Sequence, residues 1–373
     1  MNAPSSLSSL QYKDVSFKIH ESSLEKRRVV KAQLELTYRC NLHCLHCYTD
    51  PYNKKAYFPR EMSLEEILRL LDEMAELGIL WLTLTGGEIF MRKDFFQIYE
   101  TAYEKGFLLA LFTNGTVFTG EMIGRLKERP PFLIDISCHS VDENAFDRFT
   151  QVPGSFQRFR QGIELLRASG LEFALKTKAM TWNKDEIPRI REFVESLGKE
   201  FGFTTALHPR LDGDTSSLRL RLAAGEIKAL ETTEKVWIED EESCRISRDW
   251  LSEPPEELYR CGCATNAVHI NAWGELGACT FEYESRASLR EYSLSAAIEK
   301  VFAGVRALRY RKKTPCARCE LHTFCEKTPT TARWEVQDPE EPVPWHCDTA
   351  LDRAERLTQK KLNHPLTPTK ENP

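Results

Sequence analysis

Residues 32–47 read AQLELTYRCNLHCLHC. Apolar and polar residues alternate from Ala32 to Thr37, the pattern of a half-buried strand, and Cys40, Cys44 and Cys47 follow directly. The cysteines therefore stand on a loop at the C-terminal end of a strand. Outward from there, Ser63-Leu64-Glu65-Glu66 is a capping-box sequence. It opens a helix with apolar Leu64, Ile67, Leu68, Leu71, Met74 and Leu77 and a stop at Gly78. A second strand, Trp81 to Thr85, leads into Gly86-Gly87-Glu88. The unit recurs as helix 94–105 and strand 108–113, helix 121–128 and strand 132–137, helix 156–168 and strand 171–179, helix 187–197 and strand 201–207. Six strands alternating with helices require parallel pairing through right-handed crossovers, hence an α/β barrel or a doubly wound sheet. In either, chemistry gathers at the C-terminal ends of the strands. Cys40 to Cys47, Gly86 to Glu88, Thr113-Asn114 and Ser137 all fall there.

The 373 residues exceed what one hydrophobic core usually organises, so two domains are expected. A net charge of -5 with both signs intermixed leaves no electrostatic footprint for nucleic acid or an anionic membrane. No apolar run reaches the roughly 18 residues of a spanning helix, and Met1 to Leu10 is polar, without the apolar core of a secretory signal. A cytoplasmic protein is expected. Disulfides have little use in a reducing compartment, so the twelve cysteines point to metal ligation. They fall in three groups, 40–47, 261–279 and 316–347, with Cys138 and Cys244 apart as incidental thiols.

Cys40-x3-Cys44-x2-Cys47 offers three thiolates, one fewer than the four irons of a cubane cluster, so one iron would stay open. Zinc completed by His43 or His46 is the alternative the residues leave. The three-cysteine loop after the first strand, with Gly86-Gly87-Glu88 after the second, resembles the radical S-adenosylmethionine (SAM) superfamily. That resemblance implies a partial parallel (β/α)6 barrel over 31–210, preceded by an extension over 1–30. It also implies a 4Fe-4S cluster whose open iron chelates SAM and cleaves it to a 5'-deoxyadenosyl radical. By the same resemblance His46 would contact the adenine, where an aromatic residue is usual. Gly86 and Gly87 would allow close backbone approach, and Glu88 would receive the SAM ammonium. Thr113, Asn114 and Ser137 would meet its ribose or carboxylate. Lys176, Lys178 and Arg158 are unranked cations for that carboxylate.

Residues 211–260 read as a linker with an acidic helix near Glu226 to Asp240. From 261 to 350 the segments look short and dominated by cysteine, and 351–373 holds the end of a closing helix, near 349–361, and a disordered tail. Cys263-x10-Gly274-x4-Cys279, Cys316-x2-Cys319-x5-Cys325 and Cys347 resemble the SPASM extension of radical SAM peptide-modifying enzymes. The likeness implies that Cys316, Cys319, Cys325 and Cys347 close one auxiliary 4Fe-4S cluster. Cys261 or Cys263 with Cys279 would serve a second, giving one or two auxiliary clusters in all. The family's further cysteine after the Cys325 position is missing, with Lys327-Thr328-Pro329-Thr330 there, so the second cluster would lack a thiolate. Structural zinc remains the alternative for the region.

The resulting expectation is an oxidoreductase that abstracts hydrogen from a peptide or protein residue and installs a cross-link or oxidation. It would be supplied with electrons by a flavodoxin or ferredoxin. With 39 residues before Cys40, leader recognition would fall to a separate protein or to the cysteine-rich face. Two alternatives stand beside it. One is a sulfatase-maturing, formylglycine-forming enzyme, disfavoured by Thr280 where those enzymes carry an Asp base, with Glu282 as a substitute base. The other is a non-catalytic iron-sulfur electron carrier or scaffold.

Overall fold

The computed structural model describes residues 12–233, 256–259 and 264–367. Helix α1 (Tyr12–Glu25) precedes strand β1 (Lys31–Thr37), which is followed by α2 (Leu64–Glu76), β2 (Trp81–Gly86), α3 (Phe95–Glu104), β3 (Leu108–Thr113), α4 (Gly120–Glu128) and β4 (Leu133–Ser137). Then come α5 (Glu143–Thr150), α6 (Ser155–Ser169), β5 (Phe173–Lys178), α7 (Ile187–Ser196), β6 (Phe203–Thr204) and α8 (Ala224–Thr233). Strands β1 to β6 pair in parallel, in the sheet order β6-β5-β4-β3-β2-β1. This is the α/β parallel architecture that the alternation dictates.

The apolar residues of β1 to β5 bury against the flanking helices. Ala32, Leu34 and Leu36 enter the core shared with Ile67, Leu71 and Met74 of α2, while Gln33 and Glu35 point to the other side. Ser63 caps α2 as its sequence specifies. Its hydroxyl accepts from the Glu66 amide at 3.2 Å, and the Glu66 carboxylate accepts from the Ser63 amide at 2.7 Å.

The sheet does not stop at β1. Strand β7 (Ala267–Ile270) pairs in parallel with β1 on its free edge, and β8 (Glu275–Gly277) and β9 (Ala287–Ser288) continue antiparallel. The start of the cysteine-rich region is thus continuous with the barrel sheet. Beyond it lie α9 (Leu294–Arg306), α10 (Pro329–Val336) and α11 (Pro344–Thr358).

Several elements differ from the expectations set by the sequence. Helix α1 had no counterpart: it crosses the strands' N-terminal ends, where Tyr12 accepts from Trp81 Nε1 at 2.8 Å and Ser23 accepts from Asn266 at 2.9 Å. Its mixed surface hides it from a periodicity search. Helix α5 also lacked one. The strand expected over 201–207 is two residues long, and the thirteen-residue α9 falls where only short segments were expected. The helix expected over 226–240 runs Ala224–Thr233, its remainder lying outside the described residues, as does the tail from 368. The closing helix begins at Pro344 rather than near Thr349, because proline is favoured in a first helical turn. Cys347 therefore lies within that first turn. Among the described residues, no helix is long and apolar enough to cross a membrane.

Candidate active site and cysteine cavity

The tips of β1 and β2 are zipped together beyond the last strand residue. The Gly87 amide donates to Thr37 O and the Glu88 amide to Arg39 O, each at 2.8 Å. This approach needs glycine. A Cβ on Gly86 would lie 2.2 Å from Thr37 O, at a φ of +128°, and one on Gly87 would lie 2.4 Å from Arg39 O. The Gly-Gly pair therefore fixes the segment that launches Cys40.

Three asparagines hold the cysteine loop: Asn114, expected at the ligand, and Asn41 and Asn53, which sequence reasoning missed. The Asn53 side chain accepts from the Cys40 amide at 3.1 Å and donates to its carbonyl at 3.0 Å. Asn114 donates to Asn41 Oδ1 at 2.9 Å and approaches Cys40 Sγ at 3.8 Å, and Asn41 donates to Thr116 at 2.8 Å. Arg210 reaches Leu45 O at 3.3 Å from the far side. An isolated asparagine in a loop carries no periodic signal, so these positioning roles leave no trace in the sequence.

Burial, with the charges of Glu88 and Cys47, pushes the Cys40 thiol up to about 12. Burial likewise raises Cys44 well above the usual thiol range, and raises Cys47, whose sulfur lies 3.3 Å from the Thr49 hydroxyl. Three half-buried thiolates so close together repel one another, and positive charge beside them, as iron would supply, favours their ionisation. The donor set fits a cluster. His43 turns away to Asp50 at 2.8 Å and is exposed, whereas His46 packs against Phe149 and His139 with Nδ1 buried and without a hydrogen-bond partner. Burial and the neighbouring His139, Lys178 and Arg210 hold His46 neutral.

Glu88 is fully buried. Its carboxylate accepts the Thr113 hydroxyl at 2.8 Å, the Asn114 amide at 2.8 Å and the Phe90 amide at 3.3 Å. Burial nonetheless raises its pKa to about 7. Three donors leave room for a fourth on a carboxylate. Thr113 and Asn114 thus meet Glu88, while Ser137 lies exposed at the end of β4, opposite Lys176. Lys176 pairs with Asp135, Lys178 donates to Ala206 O at 2.9 Å, and Arg158 is exposed on α6.

In the C-terminal region, Cys316, Cys319, Cys325 and Cys347 line one cavity of about 500 Å³ with Lys327, His346 and Val343. Cys316 lies in the short turn Pro315–Arg318, Cys319 and Cys325 flank the turn Glu320–Phe324, and Cys347 comes from α11. Burial and mutual charge push Cys325 up to about 11 and Cys347 up to about 12. This donor set, too, fits iron. Cys279 is not among the residues lining that cavity, and Cys261, Cys263 and Cys244 lie outside the described residues. Cys138 is a buried thiol beside Ser140 O.

Glu282, expected as a substitute base, lies in a hydrogen-bonded turn. Glu282 is buried and accepts the Tyr259 hydroxyl as well as the Glu284 and Ser285 amides at 2.8 and 3.1 Å, and so braces a turn.

Residues 34–195 match the family model for the Radical SAM superfamily. The chain carries a radical SAM domain. It is similar to the AdoMet-dependent heme synthase of Methanosarcina barkeri, 32% identical over 182 residues, which make up 49% of this chain and 52% of the relative. The chain spans about half the length of the heme-synthase relatives it matches. It is also similar to the PqqA peptide cyclase of Granulibacter bethesdensis, 25% identical over 82% of this chain and 85% of the relative. Among solved structures, Streptococcus suis SuiB bound to precursor peptide SuiA shares the fold at a TM-score of 0.67, with 14% identity over 91% of this chain and 82% of that one. The radical SAM family uses a 4Fe-4S cluster and SAM, and the loop of Cys40, Cys44 and Cys47 is where this domain would hold them.

Proposed function

We propose that this chain is a radical SAM enzyme acting on a peptide or protein, with an auxiliary 4Fe-4S cluster on Cys316, Cys319, Cys325 and Cys347. The observation that carries the reading is the convergence of those four cysteines, spread over 32 positions, on one cavity beside a radical SAM domain. The similarity to the PqqA peptide cyclase along most of both chains supports the substrate class.

Cluster and SAM supply a carbon-centred radical that abstracts hydrogen. The chain's own residues do the rest. Cys40, Cys44 and Cys47 hold the cluster. Gly86 and Gly87 bring the β2 tip against its loop. Glu88, kept ionisable at neutral pH by three donors, offers its remaining lone pair to an ammonium. Cys316, Cys319, Cys325 and Cys347 would hold an auxiliary cluster that, when bound, would supply an electron acceptor, with flavodoxin or ferredoxin as the reducing partner. The engagement of Glu282 by Tyr259 and two amides weighs against a sulfatase-type base there.

A tetrapyrrole is the competing substrate class, favoured by the 32% identity of the barrel segment to a heme synthase. Anaerobically reconstituted protein, offered a panel of precursor peptides and, separately, iron-coproporphyrin, decides between them. The expected result is 5'-deoxyadenosine formation together with a peptide mass lower by two hydrogens. Turnover of the porphyrin alone would overturn the peptide reading.

A further inference from the structure

Lys327 stands over the cysteine cavity with its ammonium 3.6 Å from Cys316 Sγ and 3.0 Å from Pro339 O. It is half-buried, and its charge also acts on Cys325. The acidic groups around it are engaged elsewhere. Glu326, next in sequence, lies 3.1 Å from Arg353; Asp338 pairs with Lys312; and Glu340 accepts the Arg311 and Lys312 amides at 2.8 and 2.9 Å. The ammonium therefore has Cys316 Sγ and Pro339 O as its hydrogen-bond partners, and Asp338, which also feels its charge, is paired with Lys312.

We infer that Lys327 is a tuning residue that raises the reduction potential of the C-terminal cluster and makes it an electron acceptor. The inference rests on the auxiliary-cluster reading above. Reduction adds one electron and transfers no atom, so the reduced cluster carries one more negative charge. A cation donating to a ligand sulfur stabilises that state more than the oxidised one. The electron donor in the test is dithionite.

The measurement is an EPR-monitored redox titration of the reconstituted full chain in a background with Cys40, Cys44 and Cys47 replaced by Ala, which leaves the C-terminal signal alone. Lys327→Met is expected to lower the midpoint potential by at least about a tenfold factor in the one-electron equilibrium, about 59 mV. Lys327→Arg should stay near the parent value. Lys327→Gln, which keeps an N–H donor without charge, should fall between and covers the case in which the Met variant does not assemble. Parent-like potentials in both neutral variants, at unchanged iron content, would overturn the role of Lys327. A parent that binds no iron would overturn the cluster reading itself, a separate and recognisable failure.

Discussion

Cys40, Cys44 and Cys47 occupy one loop whose root is hydrogen-bonded into the sheet through Thr37, Arg39, Gly87 and Glu88. Cys316, Cys319, Cys325 and Cys347 come instead from two short turns and a helix, and what holds them together is the docking of that helix. Arg353 of α11 donates to Glu231 of α8 at 2.7 and 3.0 Å and approaches Glu326 at 3.1 Å, with both Arg353 and Glu231 buried. The first region is rooted by backbone pairing and braced by the Asn41, Asn53 and Asn114 side chains, whereas the second is joined to the sheet domain through side-chain pairs. An open site needs a rigid rim for its ligand, whereas a closed site is completed by its own fourth thiolate.

The largest effect that separates the two regions comes from the cysteines themselves. Replacing Cys40, Cys44 and Cys47 by Ala should abolish SAM cleavage and remove about four irons per chain while C-terminal iron remains. Replacing Cys316, Cys319, Cys325 and Cys347 should do the reverse, removing that iron with cleavage retained. Iron analysis beside a 5'-deoxyadenosine assay reads both, and a simultaneous loss of all iron in either variant would merge the two sites into one.

Next in size is Arg353→Met. Breaking a buried charge pair costs about 3–5 kcal/mol, and here it frees the helix that carries Cys347. Iron bound in the C-terminal region should fall, with a lower melting temperature, while SAM cleavage by the barrel continues. Equal losses at both sites would show that the two scaffolds are not independent.

Gly87→Ala tests the backbone zipper. With its Cβ 2.4 Å from Arg39 O, the loop must move, at a cost of roughly 2 kcal/mol. Denaturant unfolding should show that loss, together with lower iron occupancy on the barrel only.

The smallest expected effect is a pH dependence at Glu88. Because its pKa is raised to about 7, the carboxyl gains its proton as pH falls through 7 and loses its attraction for an ammonium. SAM affinity should therefore weaken several-fold from pH 8 to pH 6 in the wild-type protein. In Glu88→Gln it should be weaker throughout and flat over that range. The same raised pKa means that ionising Glu88 costs stability above pH 7, a cost absent below the ordinary carboxyl range near 4.5. A flat wild-type profile in isothermal titration would remove Glu88 from the ligand site.

The barrel and its cysteine loop were legible because they rest on local rules. Strand alternation, the Ser63 capping box and glycine stops fix each element within a few residues, and the three cysteines are neighbours in sequence. Gly86 and Gly87 could be read as permitting close approach, though what approaches, the carbonyls of Thr37 and Arg39, is decided by the strand pairing. The spacing of Cys316, Cys319, Cys325 and Cys347 suggested a ligand set, but their meeting in one cavity is a tertiary fact, as is the docking of α11 through Arg353 and Glu231, partners 122 positions apart. The partners of Glu282, the bracing by Asn41 and Asn53 and the pairing of β7 with β1 were likewise out of reach. The sequence by itself determined the elements and the chemistry of the donors, because these follow from short-range periodicity and residue type. Tertiary structure alone decided which carboxylates stay available and where Lys327 directs its charge, because burial and pairing are set by residues far apart in the chain.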